Sequence, residues 1–163
     1  MNTLNLKLIK NLGKKNQVEF FKKIDNHIKK IIGHKLITFT VIDQSVKYCE
    51  RIYSNNKKIY PLMGRKPMPK NNWSKKVLKN KNHFLCKNKE EIKKIYFDYD
   101  IIFSLDCGSI INLLVLFNNK PIGTINILHN ENYYNKNSIK KIEDVAIFVI
   151  PFFINHQNKM QKK

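Results

Sequence analysis

Arg51 stands in VKYCERIYS, residues 46–54, where two-residue alternation sends Cys49, Arg51 and Tyr53 to one face of a strand and Tyr48, Glu50 and Ile52 to the other. A half-buried arginine needs a carboxylate partner or an anionic ligand, because burying an unpaired charge is expensive. An ion pair with a neighbour of Glu50, or with Asp43 at the sheet edge, would satisfy it without any ligand. A second set, Tyr60, Gly64, Arg65, Lys66 and Trp73, lies on or beside NNKKIYPLMGRKPMPKNN, residues 55–72. Cationic and aromatic groups on a proline-stiffened loop can close over an anionic small molecule. A surface loop anchored in the core by Trp73 is the plainer reading of the same residues.

The third set is a pair of amides inside apolar strands, Asn112 in IINLLVLF and Asn126 in GTINILH. Buried amides must be hydrogen-bonded, to a ligand or to other protein groups that fix register. Whether the two share a face depends on the connection at 118–119. A two-residue turn pairs Asn112 with Ile125 and puts Asn126 on the opposite face; a three-residue loop pairs Asn112 with Asn126 directly. The sequence leaves both open. The fourth set is Cys107-Gly108-Ser109, a thiol or an anion-holding turn just before a strand. No general base accompanies it: His129 ends the following strand and His83 is elsewhere in sequence. Walker A, Rossmann glycine, HExxH and GxSxG patterns are all absent.

The chain that must position these groups has 163 residues, a length that suits one domain over 1–163 with a core at about 17–155 and basic tails at both ends. Its 42% hydrophobic and 11% aromatic content supports a core and argues against disorder. Lys and Arg number 31 against 12 Asp and Glu, for a net charge of +19, yet only Arg51 and Arg65 are arginines. Base readout leans on arginine's planar fork. The joint abundance of Lys, Asn and Ile also matches what an AT-rich genome writes, so no specific nucleic-acid partner is expected. The longest apolar stretch, 145–154, is too short to span a bilayer, and the N-terminus lacks a signal-peptide core. Three scattered cysteines argue against a disulfide framework and against a structural zinc site. The expectation is a soluble cytoplasmic domain with no cofactor, no metal and no membrane partner.

Residues 17–32 place Phe21, Ile24, Ile28 and Ile31 on one helical stripe ended by Gly33. LITFTVI, 36–42, alternates Ile37, Phe39 and Val41 against threonines and reads as a strand, which should form a hairpin with 46–54. The prolines of 55–72 exclude a helix or central strand and favour a packed flap. A short helix at 73–79, a brief strand near 83–85 and a helix near 89–96 follow. Strands at 110–117 and 121–128 flank Asn118–Asn119, and Ser138 is expected to cap a final helix that Pro151 breaks or kinks. The sum is an α+β sheet with antiparallel pairs and terminal helices packed on it.

The string RIYS…YPLMGRKP…W…FSLDCGSIINLLVLFNNKPIGTINILH resembles a GAF domain, and more narrowly the small bacterial single-GAF proteins. Two departures are Asp106, where that pattern tends to Gly, and Leu114, where Pro is common; both bear on the pocket rim. The resemblance implies a central antiparallel sheet with the terminal helices on one face and a loop-roofed pocket on the other. Carried over by motif, it assigns to that pocket Arg51, Tyr53, Tyr60, Lys66, Trp73, Ser109, Asn112, Asn126 and His129. The function it suggests is binding of a small anionic, carboxylate-type metabolite in a sensory or regulatory role. Arg51 and Lys66 would take the charge, Asn112 and Asn126 fix orientation, and Tyr60 and Trp73 line or close the site. With no kinase, cyclase or DNA-binding segment in the sequence, the signal would pass to a separate partner or through a homodimer of the terminal helices. The alternative is a cysteine-dependent enzyme like the free methionine-(R)-sulfoxide reductases, with Cys107 as nucleophile and Cys86 resolving it. The paired flap cysteines of those enzymes are missing here, so a binding module is favoured over an enzyme.

Overall fold

The structure, a computed structural model, describes residues 16–161; the N-terminal basic tail and the last two lysines of the C-terminal one lie outside the described residues. Helix α1 (Gln17–Ile32) starts where the Asn16 side chain accepts from the Glu19 amide. It stops at Gly33, whose φ of +69° lets its N–H return to the Lys29 carbonyl. Phe20, Phe21, Ile24, Ile28 and Ile32 form its buried stripe.

Strands β1 (Leu36–Ile42), β2 (Tyr48–Ser54), β3 (Arg65–Pro67), β4 (Phe84–Cys86), β5 (Ser109–Phe117) and β6 (Lys120–His129) make one sheet in the order β3-β2-β1-β6-β5-β4. Every neighbouring pair is antiparallel. The flap is therefore not wholly irregular. Its residues 65–67 add the edge strand β3, and the Met63 amide pins the rest to the Arg51 carbonyl.

Two bulges decide which residues share a face. Phe39 pairs with Tyr53 and Thr40 with Arg51, so Ile52 is an extra residue on β2. Between β5 and β6 the turn is the two-residue kind, with Phe117 paired to Lys120 and both asparagines left-handed (φ +48° and +58°). Leu116 pairs with Pro121 but Val115 with Gly123, which leaves Ile122 extra and sets Asn112 opposite Asn126. The tight turn and the direct Asn112–Asn126 pairing are both present, because the bulge supplies the residue that a longer loop would have.

One face of the sheet carries α1 and α6 (Ala146–Gln161) over the larger apolar cluster, which includes Phe21, Phe39, Tyr53, Ile111, Leu113, Ile125 and Phe153. Gly123 permits that approach: a Cβ there would lie 2.4 Å from the Thr40 carbonyl and 2.5 Å from the Phe153 ring. The other face is roofed by α2 (Asn72–Ser74), its π-helical continuation Lys75–Lys79, α3 (Lys89–Ile95) and α4 (Tyr99–Ser104), over Trp73, Val77, Ile92, Ile102, Ile110 and Leu128. The α4 turn has no counterpart in the sequence reading.

The C-terminal expectations need one correction, at the cap, and one narrowing, at Pro151, where a break is excluded. Asn135, not Ser138, caps α5 (Lys136–Lys140), and Ser138 returns its hydroxyl to the cap amide in a capping box. Pro151 does not end α6, which runs on to Gln161. Proline leaves the Ile147 carbonyl without its helical donor, and Ile147 is an exposed residue, 63% accessible.

Candidate functional site

On the roofed face, β1, β2, β5 and β6 turn polar side chains toward a pocket of about 370 Å³. Cross-strand pairing lays them in two rows. Thr40 stands between Arg51 and Thr124; in the adjacent row Thr38 stands beside Asn126, and Asn126 beside Asn112. Tyr60 and Lys66 come from the flap, Trp73 from α2, and Tyr96, Phe97 and Asp98 from the link between α3 and α4. Leu36, Ile42, Ile102, Ile110 and Leu128 supply apolar surface. Most lining groups are apolar and a few polar ones converge on the floor, as in small-molecule sites.

The two amides form a ladder. Asn112 Oδ1 accepts from Trp73 Nε1 (2.8 Å) and from the Tyr96 hydroxyl (2.6 Å). Asn112 Nδ2 donates to Asn126 Oδ1 at 2.7 Å, and Asn126 Nδ2 donates to the hydroxyls of Thr38 and Thr40, both at 3.1 Å. Burial pushes the Tyr96 phenol well above its ordinary pKa, so it remains a donor. Asn71 aligns the roof: its carbonyl oxygen caps α2 while its amide donates to the Ile95 carbonyl at 3.0 Å.

Arg51 is the charged group at this floor. Its Nη1 donates to the Pro61 carbonyl at 3.0 Å and its guanidinium lies 4.8 Å from the Tyr60 ring centre. Its Nε is buried and has no hydrogen-bond partner among the described residues. Neither carboxylate that might have neutralised it does so. Glu50 lies on the helix side, 3.1 Å from Arg65 Nε and 2.8 Å from His156 Nε2. Asp43 accepts from the Ser45, Lys47 and Tyr48 amides in its own turn. Burial accordingly draws the Arg51 pKa below its ordinary value. Tyr60 donates to Asp98 Oδ2 at 3.2 Å, and burial followed by that carboxylate pushes its pKa up. Lys66 reaches the pocket from β3, its Nζ 5.4 Å from the Phe97 ring centre.

Six of the nine expected residues meet here: Arg51, Tyr60, Lys66, Trp73, Asn112 and Asn126. The other three do not. Tyr53 points to the helix side, where its hydroxyl donates to Asp25 Oδ2 at 2.7 Å, because the Ile52 bulge cancels the alternation that would have aligned it with Arg51. Ser109 and His129 pair with each other, three residues from Asn112 and Asn126 along unbroken strands, and an odd offset places them on the opposite face. Ser109 donates to the Asn130 carbonyl at 2.6 Å, and His129 stacks on Tyr133. Asp106 and Leu114 do not line the pocket either; Asp106 pairs with Lys35 and holds φ at +54°.

The three cysteines are free thiols. Cys86 and Cys107 are buried and line no part of this pocket; burial raises them to about 12 and about 11, far from the thiolate a nucleophile needs. The lining thiol is Cys49, half-buried beside Lys66 on the edge strand. Lining groups not singled out from sequence are Thr38, Thr40, Thr124, Tyr96 and Asp98. The two β1 threonines were detectable, since alternation already set them opposite Phe39; Tyr96 and Asp98 carried no signal. Among the described residues no group of three or more His, Cys, Asp or Glu side chains is placed to hold a metal ion. No described helix is long and apolar enough to cross a membrane.

No family model matches the sequence, and no curated protein matches it either. Solved structures do match. The GAF domain of a phosphoenolpyruvate-protein phosphotransferase from Coxiella burnetii is similar over 100% of both chains, with a TM-score of 0.71 at 10% identity. The GAF domain of a two-component sensor histidine kinase from Bacillus halodurans covers 87% of this chain and 99% of its own, with a TM-score of 0.67 at 11% identity. The type II free methionine-R-sulfoxide reductase from Thermoplasma acidophilum covers 95% of this chain and 96% of its own, with a TM-score of 0.61 at 12% identity. The chain has the GAF-domain fold, an α+β sheet with helices on both faces.

Proposed function

We propose that this chain binds a small anionic, carboxylate-type metabolite in the pocket and acts as a sensory or regulatory module. The observation that carries the reading is Arg51: a half-buried cation on the floor of a largely apolar pocket, with an unsatisfied buried Nε and no ion pair among the described residues, though Asp98 stands near enough to favour its charge. Leaving a buried charge uncompensated is costly, and an incoming anion removes that cost. Lys66 offers a second positive charge, and Tyr60 and Trp73 supply the walls. The fold is shared with domains of a sensor kinase and a phosphotransferase, which fits a regulatory role but does not by itself assign one.

A thermal-shift screen with small carboxylates, nucleotides, cyclic nucleotides and methionine sulfoxide tests this. A ligand at 100 times its dissociation constant adds about 2.7 kcal/mol of stability. The reading expects a carboxylate hit that Arg51→Ala abolishes. Silence across the panel, with the variant equally folded, overturns it.

Two copies would pair through α1 and α6, where Val18 and Ile147 are 53% and 63% exposed, although Val145, Phe148, Val149 and Phe153 of the same apolar run are spent on the sheet. Light scattering across a concentration series reads that directly. The reductase alternative has the fold match to the Thermoplasma acidophilum enzyme on its side, and Cys107→Ser is its test: loss of methionine sulfoxide reduction would establish it.

A further inference from the structure

We infer that the ligand is an elongated amphipathic monocarboxylate that enters tail first. Its aliphatic end would lie on Leu36, Leu128 and Ile110, and its carboxylate would stay at the mouth beside Arg51 and Lys66. This rests on the ligand-binding reading above and adds to it the length and polarity of the molecule.

Strand register sorts the floor into four rows, because residues two apart on β1 face the same way. Ile42 leads through Cys49 to Lys66, and in the next row Thr40 stands between Arg51 and Thr124. Thr38 then leads through Asn126 to Asn112, and Leu36 leads through Leu128 to Ile110. Every one of these residues lines the pocket. Polarity therefore falls in one direction along β1. Both cations belong to the two rows at the Ile42 end, hydroxyls and amides fill the middle, and the Leu36 row is aliphatic throughout. Rows two residues apart are separated by about 6.6 Å, so about 13 Å lies between the Arg51 row and the Leu36 row. A short acid cannot touch both ends.

The ends also differ in access. Leu36, Leu128 and Ile110 are 2%, 5% and 2% exposed, whereas Phe97, beside Lys66 Nζ, is 84% exposed. The cationic end is thus the mouth and the aliphatic end is closed. A tail seated at the closed end loses its water, which favours binding, while the carboxylate stays where water still reaches it and is spared most of its desolvation cost. Asp98 stands at the cationic end too, held by the Tyr60 hydroxyl, but Arg51 and Lys66 outnumber it. Between the ends, the hydroxyls of Thr38, Thr40 and Thr124 can each donate and accept, which suits an uncharged amide link within the chain.

N-acylglycines have this layout and serve as probes. The experiment is isothermal titration calorimetry of the full chain with acetylglycine, butanoylglycine, hexanoylglycine and octanoylglycine, and with the methyl ester of hexanoylglycine. Salt at about 0.15 M screens the chain's net positive charge. The four methylenes that separate acetylglycine from hexanoylglycine should tighten binding about a hundredfold. Leu128→Phe, which fills the closed end, should move the best fit to a shorter chain, and Leu128→Ala should move it to a longer one. Acetylglycine binding as tightly as hexanoylglycine, or a chain-length profile that neither variant moves, overturns the tail-first ligand and leaves the anionic reading standing. Silence from the whole series beside a hit from a compact carboxylate does the same. An ester that binds as tightly as its acid overturns the anionic reading itself, and silence from every carboxylate overturns the pocket.

Discussion

On the helix side of the sheet the buried charges close on one another. Glu50 is held by Arg65 and His156, and Asp25 by His34 at 2.8 Å and by the Tyr53 hydroxyl. On the pocket side, one residue along from Glu50, Arg51 meets the Pro61 carbonyl and the Tyr60 ring but forms no ion pair among the described residues, and its Nε is left without a partner beside the cavity. The two faces share the same strands, so the contrast lies in how far their polar groups are completed. Polar groups completed within the chain hold the sheet to its helices; those left incomplete beside a cavity are available to something else. The other buried atom without a partner among the described residues, His34 Nδ1, lies on the helix side and is an exception to this division, although its ring is paired with Asp25 through the other nitrogen.

Breaking a completed group should cost most. Glu50→Ala strands the buried His156 and the partly exposed Arg65, and urea unfolding should show a loss of about 3 kcal/mol. Asn112→Ala comes next, leaving Trp73, Tyr96 and Asn126 without their shared partner; about 2 kcal/mol is expected by the same measurement, with cavity water recovering part of it. Acid sharpens the contrast. Burial opposes the charge of Glu50, but hydrogen bonds from His156 and Arg65 outweigh it and hold the pKa below 4.5. A depressed carboxylate contributes fully above its unfolded pKa, so this stability should be lost as pH falls below about 4.5 and through the lower native value. Glu50→Gln should remove that acid-side slope in a pH series of melting curves.

Arg51→Met should behave oppositely to Glu50→Ala. It removes an unpaired buried charge and keeps the volume, so stability should move by no more than about 1 kcal/mol in either direction while carboxylate binding disappears. A large destabilisation would place Arg51 among the completed groups and dissolve the contrast. The smallest effect concerns the thiols. A thiol reagent on the native protein should modify Cys49 first and leave Cys86 and Cys107 protected, and Cys49→Ser should erase the fast phase without shifting the melting temperature by more than a degree or so. Fast labelling of Cys107 instead would favour the reductase.

How much of this was legible depended on the range of the interaction responsible. The α1 stripe, its glycine stop, β1 and both long strands follow from periods of 3.6 and 2, which are properties of a segment alone. The flap's prolines announced an irregular segment, and Arg51, Lys66, Tyr60 and Trp73 do meet around one cavity. Ser109 and His129 could have been set aside on parity, three residues from the amides; assigning them by motif overrode a better local argument. Tyr53 could not have been, because parity pointed the wrong way. Asn135 displaced Ser138 as a cap because residues three apart can each play either part of a capping box.

The sequence by itself determined that Thr38 and Thr40 share one face of β1 against Phe39, that Asn118–Asn119 lies in the connection between two apolar strands, and that Arg51 calls for a carboxylate partner or an anionic ligand. Only the tertiary structure decided where the extra residues at Ile52 and Ile122 fall, and with them that Tyr53 turns away from Arg51 and Asn112 faces Asn126. The reason is that a bulge has no existence within one strand. It is a mismatch in count between two, settled by how both fit the helices above and the cavity below.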